Sequence, residues 1–152
     1  MTTPEPGLLD LTLDGWIEAG QHHYPLTAQF EDTDLSGIVY HGQYINFAER
    51  GRSAMLRLCG IDHNLLLAEN TAFTVRRLDC AFKAPTRQGE RLTVVTGLDK
   101  LGGAVMRLHQ RLLDPAGGLR ADLHVEVAVV HLEKGAMRLP SSIHDRIVAI
   151  MC

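Results

Sequence analysis

One long segment in the first half of the chain spaces its apolar residues as an α-helix does. Apolar and small side chains recur there at intervals of three and four, at Ile45, Phe47, Ala48, Gly51, Ala54, Met55, Leu58 and Cys59. This spacing predicts a helix with a broad apolar face that ends at Gly60. A second, short helix is expected over residues 63–69. The long helix is suited to cover one face of a large sheet.

The segments after the helix are patterned as β-strands. They comprise residues 73–82, 92–101, 104–113 and 119–132, and one further strand is expected before the helix, at 22–30. The later strands are joined by turns so short that they must be antiparallel neighbours. The order strand, helix, four strands indicates an α+β fold. One helix covers only one face of such a sheet, so we expect an oligomer.

The size and charge of the chain narrow the possible functions. Its 152 residues are the usual length of one domain. We expect a loose leader over residues 1–20, with a short helix at 8–17, and one domain over 21–152. The net charge is −3 and no Lys or Arg stripe is present, which argues against nucleic-acid binding.

No targeting or membrane segment is recognisable in the sequence. The N-terminus lacks the regions of a signal peptide, and no apolar run approaches the roughly 18 residues that span a bilayer. The three cysteines include no C-x-x-C pair, so neither a disulfide framework nor a zinc knuckle is expected. We therefore expect a cytoplasmic protein with reduced thiols and no membrane insertion.

Carboxylates lie just before the predicted start of the long helix. Asp32 and Asp34 precede the turn at Ser36 and Gly37, and the helix follows Tyr40. The first N–H groups of a helix lack intrahelical partners and stabilise negative charge. Such groups suit the oxyanion of a thioester under attack, with a carboxylate as base or nucleophile. From spacing alone, helix capping is the commoner explanation.

The residues around this turn resemble the signature of the 4-hydroxybenzoyl-CoA thioesterase family. The matching pattern is Asp32-x-Asp34-x-x-Gly37-x-Val39-Tyr40-His41-x-x-Tyr44, then Glu49-Arg50-x-Arg52, Phe73-Thr74-Val75-Arg76-Arg77 and Ala84-Pro85. The pattern is most similar to the branch of the family associated with the Tol-Pal operon. The resemblance covers residues 24–147.

The resemblance implies a fold, a reaction and individual residue roles. The fold is the hot-dog, an antiparallel sheet wrapped around one long central helix, with active sites between the protomers of a homodimer or homotetramer. The reaction is hydrolysis of an acyl-CoA or acyl carrier protein thioester, with no cofactor beyond the coenzyme A of the substrate. Asp34 is then the catalytic base or nucleophile, and the backbone N–H of His41 is the oxyanion donor. The expected substrate contacts are Tyr40, Gly42, Tyr44, Thr74, Lys83 and Arg87.

Two of these contacts are basic residues near the end of a predicted strand. We expect Lys83 and Arg87 to bind the phosphates of coenzyme A, for which cationic side chains are suited. A solvated surface is the alternative interpretation.

Glu49 is the main rival to Asp34 for the catalytic role. It lies on the long helix, and a related group of hot-dog thioesterases takes its carboxylate from that helix. A carboxylate on the apolar face has a raised pKa unless it is paired. A buried ion pair with Arg50 or Arg52 is the structural alternative.

Other polar residues have structural explanations. We expect Asp32 to tie down the loop through hydrogen bonds to backbone N–H groups, and Ser36 lacks the surroundings of a nucleophile. His109 and His124 flank the turn at 114–118 and could face each other across a hairpin. Two histidines without a third ligand make a poor metal site, so we expect no metal.

Three other functions remain open from the sequence. A hot-dog dehydratase or hydratase needs a catalytic histidine in a different local pattern, which is not visible here. A non-catalytic acyl-thioester-binding or scaffolding protein would share the fold, as would an acyltransferase that uses an acceptor other than water. The acyl group is undetermined, and an aromatic content of 5 % gives no sign of an aryl-binding slot.

Overall fold

The computed structural model describes residues 13–152, which form an antiparallel sheet packed against one long helix. The strands are β1 (Trp16–Glu18), β2 (Gln21–Thr27), β3 (Thr71–Phe82), β4 (Arg91–Leu101), β5 (Val105–Leu113), β6 (Leu119–His131) and β7 (Gly135–Ala136). The helices are α1 (His41–Leu58), α2 (His63–Ala68) and α3 (Ser141–Met151). The strand order is β1-β2-β4-β5-β6-β3, with β7 paired to β6. The predicted α+β class is confirmed.

The neighbouring inner strands β5 and β6 have one apolar and one polar face. Every second residue is buried, namely Met106, Leu108, Gln110 and Leu112 of β5 and Ala121, Leu123, Val125, Val127 and Val129 of β6. The residues between them are partly or fully exposed. Because side chains alternate along a strand, this pattern puts the core on one side of the sheet.

Helix α1 packs on the apolar side of the sheet, and at Gly51 the contact leaves no room for a side chain. A Cβ at this position would lie 2.7 Å from Cγ1 of Val94 in β4. Beside this contact the buried Gln110 side chain reaches from β5 to the helix. Its amide nitrogen donates to the Ala48 carbonyl and to the Thr96 hydroxyl, both at 2.9 Å. A glycine and a buried amide therefore set the position of α1 on the sheet.

The N-terminal boundaries differ from the sequence-based expectation. Trp16–Glu18 pair with β2, so this part of the expected leader belongs to the sheet. The strand expected at 22–30 ends at Thr27, and a 3₁₀ turn follows at Phe30–Asp32. Most of the helix expected at 8–17 lies outside the described residues, and its last two residues are in β1 instead.

Helix α3 was missing from the sequence-based expectation. Its buried residues, Ile143, Ile147 and Met151, are four apart, which is helical spacing. Pro140 precedes the first helical residue. Within residues 13–152 no helix is both long and apolar enough to span a membrane.

The tight contact at Gly51 predicts the effect of enlarging this residue. We expect Gly51→Val to lower the free energy of unfolding by about 1–3 kcal/mol, because added methyl groups would collide with Val94. Urea denaturation would measure this. Asn46→Val is the control, since it puts the same β-branched residue on the exposed side of α1. Equal effects of the two changes would contradict the packing argument.

Candidate active site

The loop between β2 and α1 folds back on itself as a short hairpin. The Asp34 N–H donates to the Ile38 carbonyl at 2.9 Å, and the Tyr40 N–H donates to the Asp32 carbonyl at 2.9 Å. Gly37 closes the turn with φ = +78°, a conformation that favours glycine. Asp34 therefore lies near the tip of a hairpin whose base adjoins the start of α1.

Asp34 is exposed to solvent and hydrogen-bonded within its own turn. Its Oδ1 atom accepts from the Ser36 N–H at 2.8 Å and from the Ser36 hydroxyl at 2.5 Å. The Ser36 hydroxyl, and then the Ser36 N–H, hold the pKa of this carboxyl below its usual range, because they stabilise the charged form. The side chain is thus an ionised carboxylate at neutral pH.

Asp32 has a structural role, as the sequence predicts. It is buried, and its two oxygens accept from the Gln29 N–H and from the Gln43 side-chain amide, each at 2.7 Å. These bonds tie Asp32 to the start of its own 3₁₀ turn on one side and to α1 on the other. The expected hydrogen bond from Asp32 to a backbone N–H is confirmed.

The first turn of α1 leaves two backbone donors available. No side chain caps the helix, and the Gln43 N–H turns back to the Tyr40 carbonyl at 2.9 Å. The N–H groups of His41 and Gly42 have no hydrogen-bond partner among residues 13–152. A helix N-terminus with free donors is a site that favours negative charge.

A cavity of about 300 Å³ opens beside the start of α1. Its lining consists of Val39, His41, Tyr44, Phe82, Lys83, Ala84 and Pro85. The Tyr44 ring is buried, and its hydroxyl donates to Thr86 Oγ1 at 3.1 Å. Two of the predicted substrate contacts, Tyr44 and Lys83, therefore lie together with His41.

The other four predicted substrate contacts are not in the lining of this cavity. Tyr40 is about half exposed, and its ring packs on the His41 ring with centroids 4.2 Å apart. A Cβ at Gly42 would lie 3.0 Å from the Tyr40 ring. Neither Thr74 nor Arg87 is in the lining of the His41 cavity. Thr74 lines a second cavity, and Arg87 pairs in a β-bridge with Ile38, next to the lining residue Val39.

Glu49 lies in the second cavity, of about 430 Å³, between α1 and β3. The lining includes Arg52 and Thr74. Glu49 is exposed rather than buried. Arg52 donates instead to Gln110 Oε1 at 2.9 Å, and no residue within 13–152 forms an ion pair with Glu49. The expected buried ion pair with Arg50 or Arg52 is therefore wrong.

Sequence reasoning missed two residues that shape the His41 cavity, one in its lining and one that holds the lining residue Pro85. Phe82, the last residue of β3, lines the cavity and packs near Tyr44. Arg120 donates to the Pro85 carbonyl at 2.7 Å and pairs with Glu90 at 2.9 Å. Phe82 could have been found as an aromatic residue at the end of a predicted strand. Arg120 could not, because its partners Pro85 and Glu90 are 30 or more residues away in the sequence.

The chain matches one protein family over most of this region. The family described as "Thioesterase superfamily" matches residues 36–121. The acyl-CoA thioester hydrolase YbgC of Escherichia coli O6:H1 is 34 % identical over 121 residues, which cover 79 % of this chain and 90 % of that protein. The acyl-CoA thioesterase YbgC of Haemophilus influenzae is 34 % identical over 91 residues, which cover 59 % of this chain and 67 % of that protein.

A solved structure extends the match to the fold. The probable thioesterase from Bartonella henselae superposes with a TM-score of 0.74 at 34 % identity, covering 79 % of this chain and 99 % of that one. The hot-dog fold implied by the resemblance is confirmed.

The hydrogen bonds of Asp34 predict how its pKa responds to mutation. We expect Ser36→Ala to raise the pKa of Asp34 toward its ordinary value, because the hydroxyl is the largest cause that lowers it. A titration that follows the Asp34 carboxyl carbon by NMR would measure this. Ser53→Ala, on α1, serves as the control. An unchanged pKa in Ser36→Ala would contradict the assignment.

Proposed function

The chain belongs to the thioesterase superfamily, and on that basis we propose that it hydrolyses acyl-CoA thioesters around Asp34 and the start of α1. The products are the free acid and coenzyme A. The main support for this location is the pair of N–H groups at His41 and Gly42, which have no hydrogen-bond partner among residues 13–152, at the end of the hairpin that carries the ionised Asp34. Together they meet the two needs of acyl transfer, an oxyanion donor and a group that attacks or activates water.

The thioester carbonyl oxygen is proposed to bind at the N-terminus of α1. The His41 N–H is the principal donor, and the adjoining Gly42 N–H is the second. The dipole of this 18-residue helix adds to their effect. As the carbonyl carbon becomes tetrahedral, its oxygen gains negative charge, which these donors stabilise. One such donor is typically worth about 10²–10³ in rate.

Asp34 is proposed to act on the carbonyl carbon by one of two routes. As a general base it takes a proton from water while the water oxygen attacks and the C–S bond breaks. As a nucleophile it forms a mixed anhydride with release of the thiolate, and water then hydrolyses the anhydride. In both routes the net reaction adds water across the C–S bond. Both routes start from the ionised carboxylate, which the Ser36 hydrogen bonds favour.

The His41 cavity is the proposed seat of the thioester and the adjoining substrate. Phe82 and Tyr44 provide aromatic walls. The Lys83 ammonium is the proposed contact for the phosphates of coenzyme A, since a cation there attracts negative charge. Arg87 is exposed and is proposed as an outer phosphate contact. An acyl carrier protein thioester has the same pantetheine arm, and the reaction uses no separate cofactor.

A second copy of the chain is proposed to pair along β3. This strand has 12 residues, pairs on one side with β6, and lies at the edge of the sheet. Val75 and Phe82 expose apolar surface along it. Residues of β3 also line both cavities. A partner on this edge would cover the cavities and place active sites between protomers, in a homodimer or in a homotetramer built from two dimers.

We also propose that the protein works in the cytoplasm. Cys59, Cys80 and Cys152 are all free thiols, which suits a reducing compartment.

Replacing Asp34 tests its catalytic role. We expect Asp34→Asn to lower kcat/KM for an acyl-CoA by about 10²–10⁴, since the amide cannot act as base or nucleophile. Its oxygen can still accept the Ser36 hydrogen bonds, so the turn should keep its shape. Release of free thiol from a panel of acyl-CoAs is the assay, and it also reports the preferred acyl group.

Glu49→Gln is the matched comparison for Asp34→Asn. It replaces the rival carboxylate by its amide, and we expect it to retain most of the activity. Full activity in Asp34→Asn together with loss in Glu49→Gln would move the catalytic role to α1.

Charge on the β3 edge tests the proposed oligomer. We expect Val75→Lys to shift the protein from a dimer or larger species to a monomer, because a lysine disfavours pairing between edge strands. Sedimentation velocity would measure the mass. Val148→Lys, on the exposed side of α3, is the control. A wild-type protein that is monomeric and fully active would contradict the proposal.

A further inference from the structure

Two histidines lie side by side on the sheet face that α1 does not cover. His109 of β5 and His124 of β6 are direct partners across the strand pair. Their rings are stacked almost parallel, with centroids 4.5 Å apart and planes 1° apart. Both alternate with buried residues, so both side chains point away from the core.

A carboxylate completes this cluster. Asp122 lies two residues before His124 on β6 and therefore on the same face of the sheet. It is also the diagonal neighbour of His109, a position within reach across antiparallel strands. The Asp122 Oδ1 atom lies 2.5 Å from the His109 Nε2 atom. Asp122 thus supplies the third ligand that the two histidines alone lack.

We propose that His109, Asp122 and His124 form a binding site for a divalent transition-metal ion. One donor atom from each residue lies within 4.8 Å of the other two. Around a zinc ion at normal bond lengths, such donors stand about 3.3 Å apart. Reaching that spacing requires the side chains to rotate, and those of His109 and Asp122 are partly exposed, at 30 % and 27 %.

The donor set favours a particular class of metal. Two imidazole nitrogens and one carboxylate oxygen suit Zn²⁺, Co²⁺ or Ni²⁺, whereas Ca²⁺ and Mg²⁺ prefer oxygen ligands. Three protein ligands leave at least one coordination position for water.

The charged residues around the cluster leave the Asp122 carboxylate available to bind a metal ion. Among residues 13–152, Asp122 has His109 as its only hydrogen-bond or ion-pair partner. Arg111 is opposite Asp122 in the strand pair, but its guanidinium donates to Gln21 at 3.2 Å. Asp79, opposite His124 on β3, is paired with Arg77 at 3.7 Å. No guanidinium in the described residues therefore neutralises Asp122.

The strand pair holds the three residues at fixed positions. The β5–β6 register is continuous from Val105 to Leu112, and the buried residues beneath, among them Leu108 and Val125, are almost inaccessible. A backbone fixed in this way keeps the ligands in place before the ion binds. Because the cluster lies on the opposite side of the sheet from α1, the metal is separate from the thioesterase site.

Metal titration of the full-length protein tests the proposal. After treatment with a chelator, calorimetric titration with Zn²⁺ should show one ion per chain in the micromolar range or tighter. His109→Gln, Asp122→Asn and His124→Gln should each weaken binding by at least about tenfold, since each removes a ligand. Bound Co²⁺ should give visible absorption bands that disappear in His124→Gln.

His144→Gln is the matched control. His144 lies on α3 with a side chain 44 % exposed, beside Asp145, with Nδ1 and Oδ1 3.2 Å apart. This variant should bind Zn²⁺ like the wild type. The absence of stoichiometric binding, or equal binding by wild type and His124→Gln, would overturn the proposal and leave a simple His–Asp hydrogen bond. Thiol-release activity is a separate readout, so failure here is distinguishable from failure of the Asp34 assignment.

Discussion

The contact between Gly51 of α1 and Val94 of β4 is the constraint on which the arrangement of the site depends. The residue without a side chain lets the helix approach the sheet closely, and the Gln110 amide then fixes the helix at Ala48. Because a helix is rigid, fixing its middle also fixes its first turn. The N–H groups of His41 and Gly42, which have no partner in the described part of the chain, are thereby held beside the cavity lined by Phe82.

The two aspartates before α1 have the same side chain but differ in burial and in hydrogen bonding. Asp32 is buried, and its two oxygens accept hydrogen bonds from the Gln29 N–H of its own turn and from the Gln43 side chain of α1. It holds the loop in shape and has no free position for chemistry. Asp34, two residues later, is exposed, and its contacts are confined to its own turn. The loop is stabilised by one carboxylate and leaves the other facing solvent.

The sheet has three surfaces with different consequences for function. The apolar face is covered by α1 and forms the core. The β3 edge exposes apolar side chains beside both cavities, which supports a partner there. The outer face carries alternating polar side chains, and cross-strand pairing brings His109, His124 and Asp122 together on it. A substrate site and a metal site can therefore exist on one small domain without sharing residues.

The sequence by itself determined the elements whose pattern is local and long. Helix α1 and strands β3 to β6 appear within a few residues of their predicted bounds, because spacing of three and four or of two is visible in a single stretch of chain. The motif around Asp34 could likewise be recognised from the sequence, because its residues lie in one contiguous segment. Only the tertiary structure decided that Trp16–Glu18 join the sheet, that α3 covers part of the core, that Glu49 is exposed, and that Asp122 meets the histidine pair. Each of these depends on pairing or burial between segments distant in sequence. Even α3, whose apolar residues have helical spacing, is a short segment whose place against the core is set only by the rest of the fold.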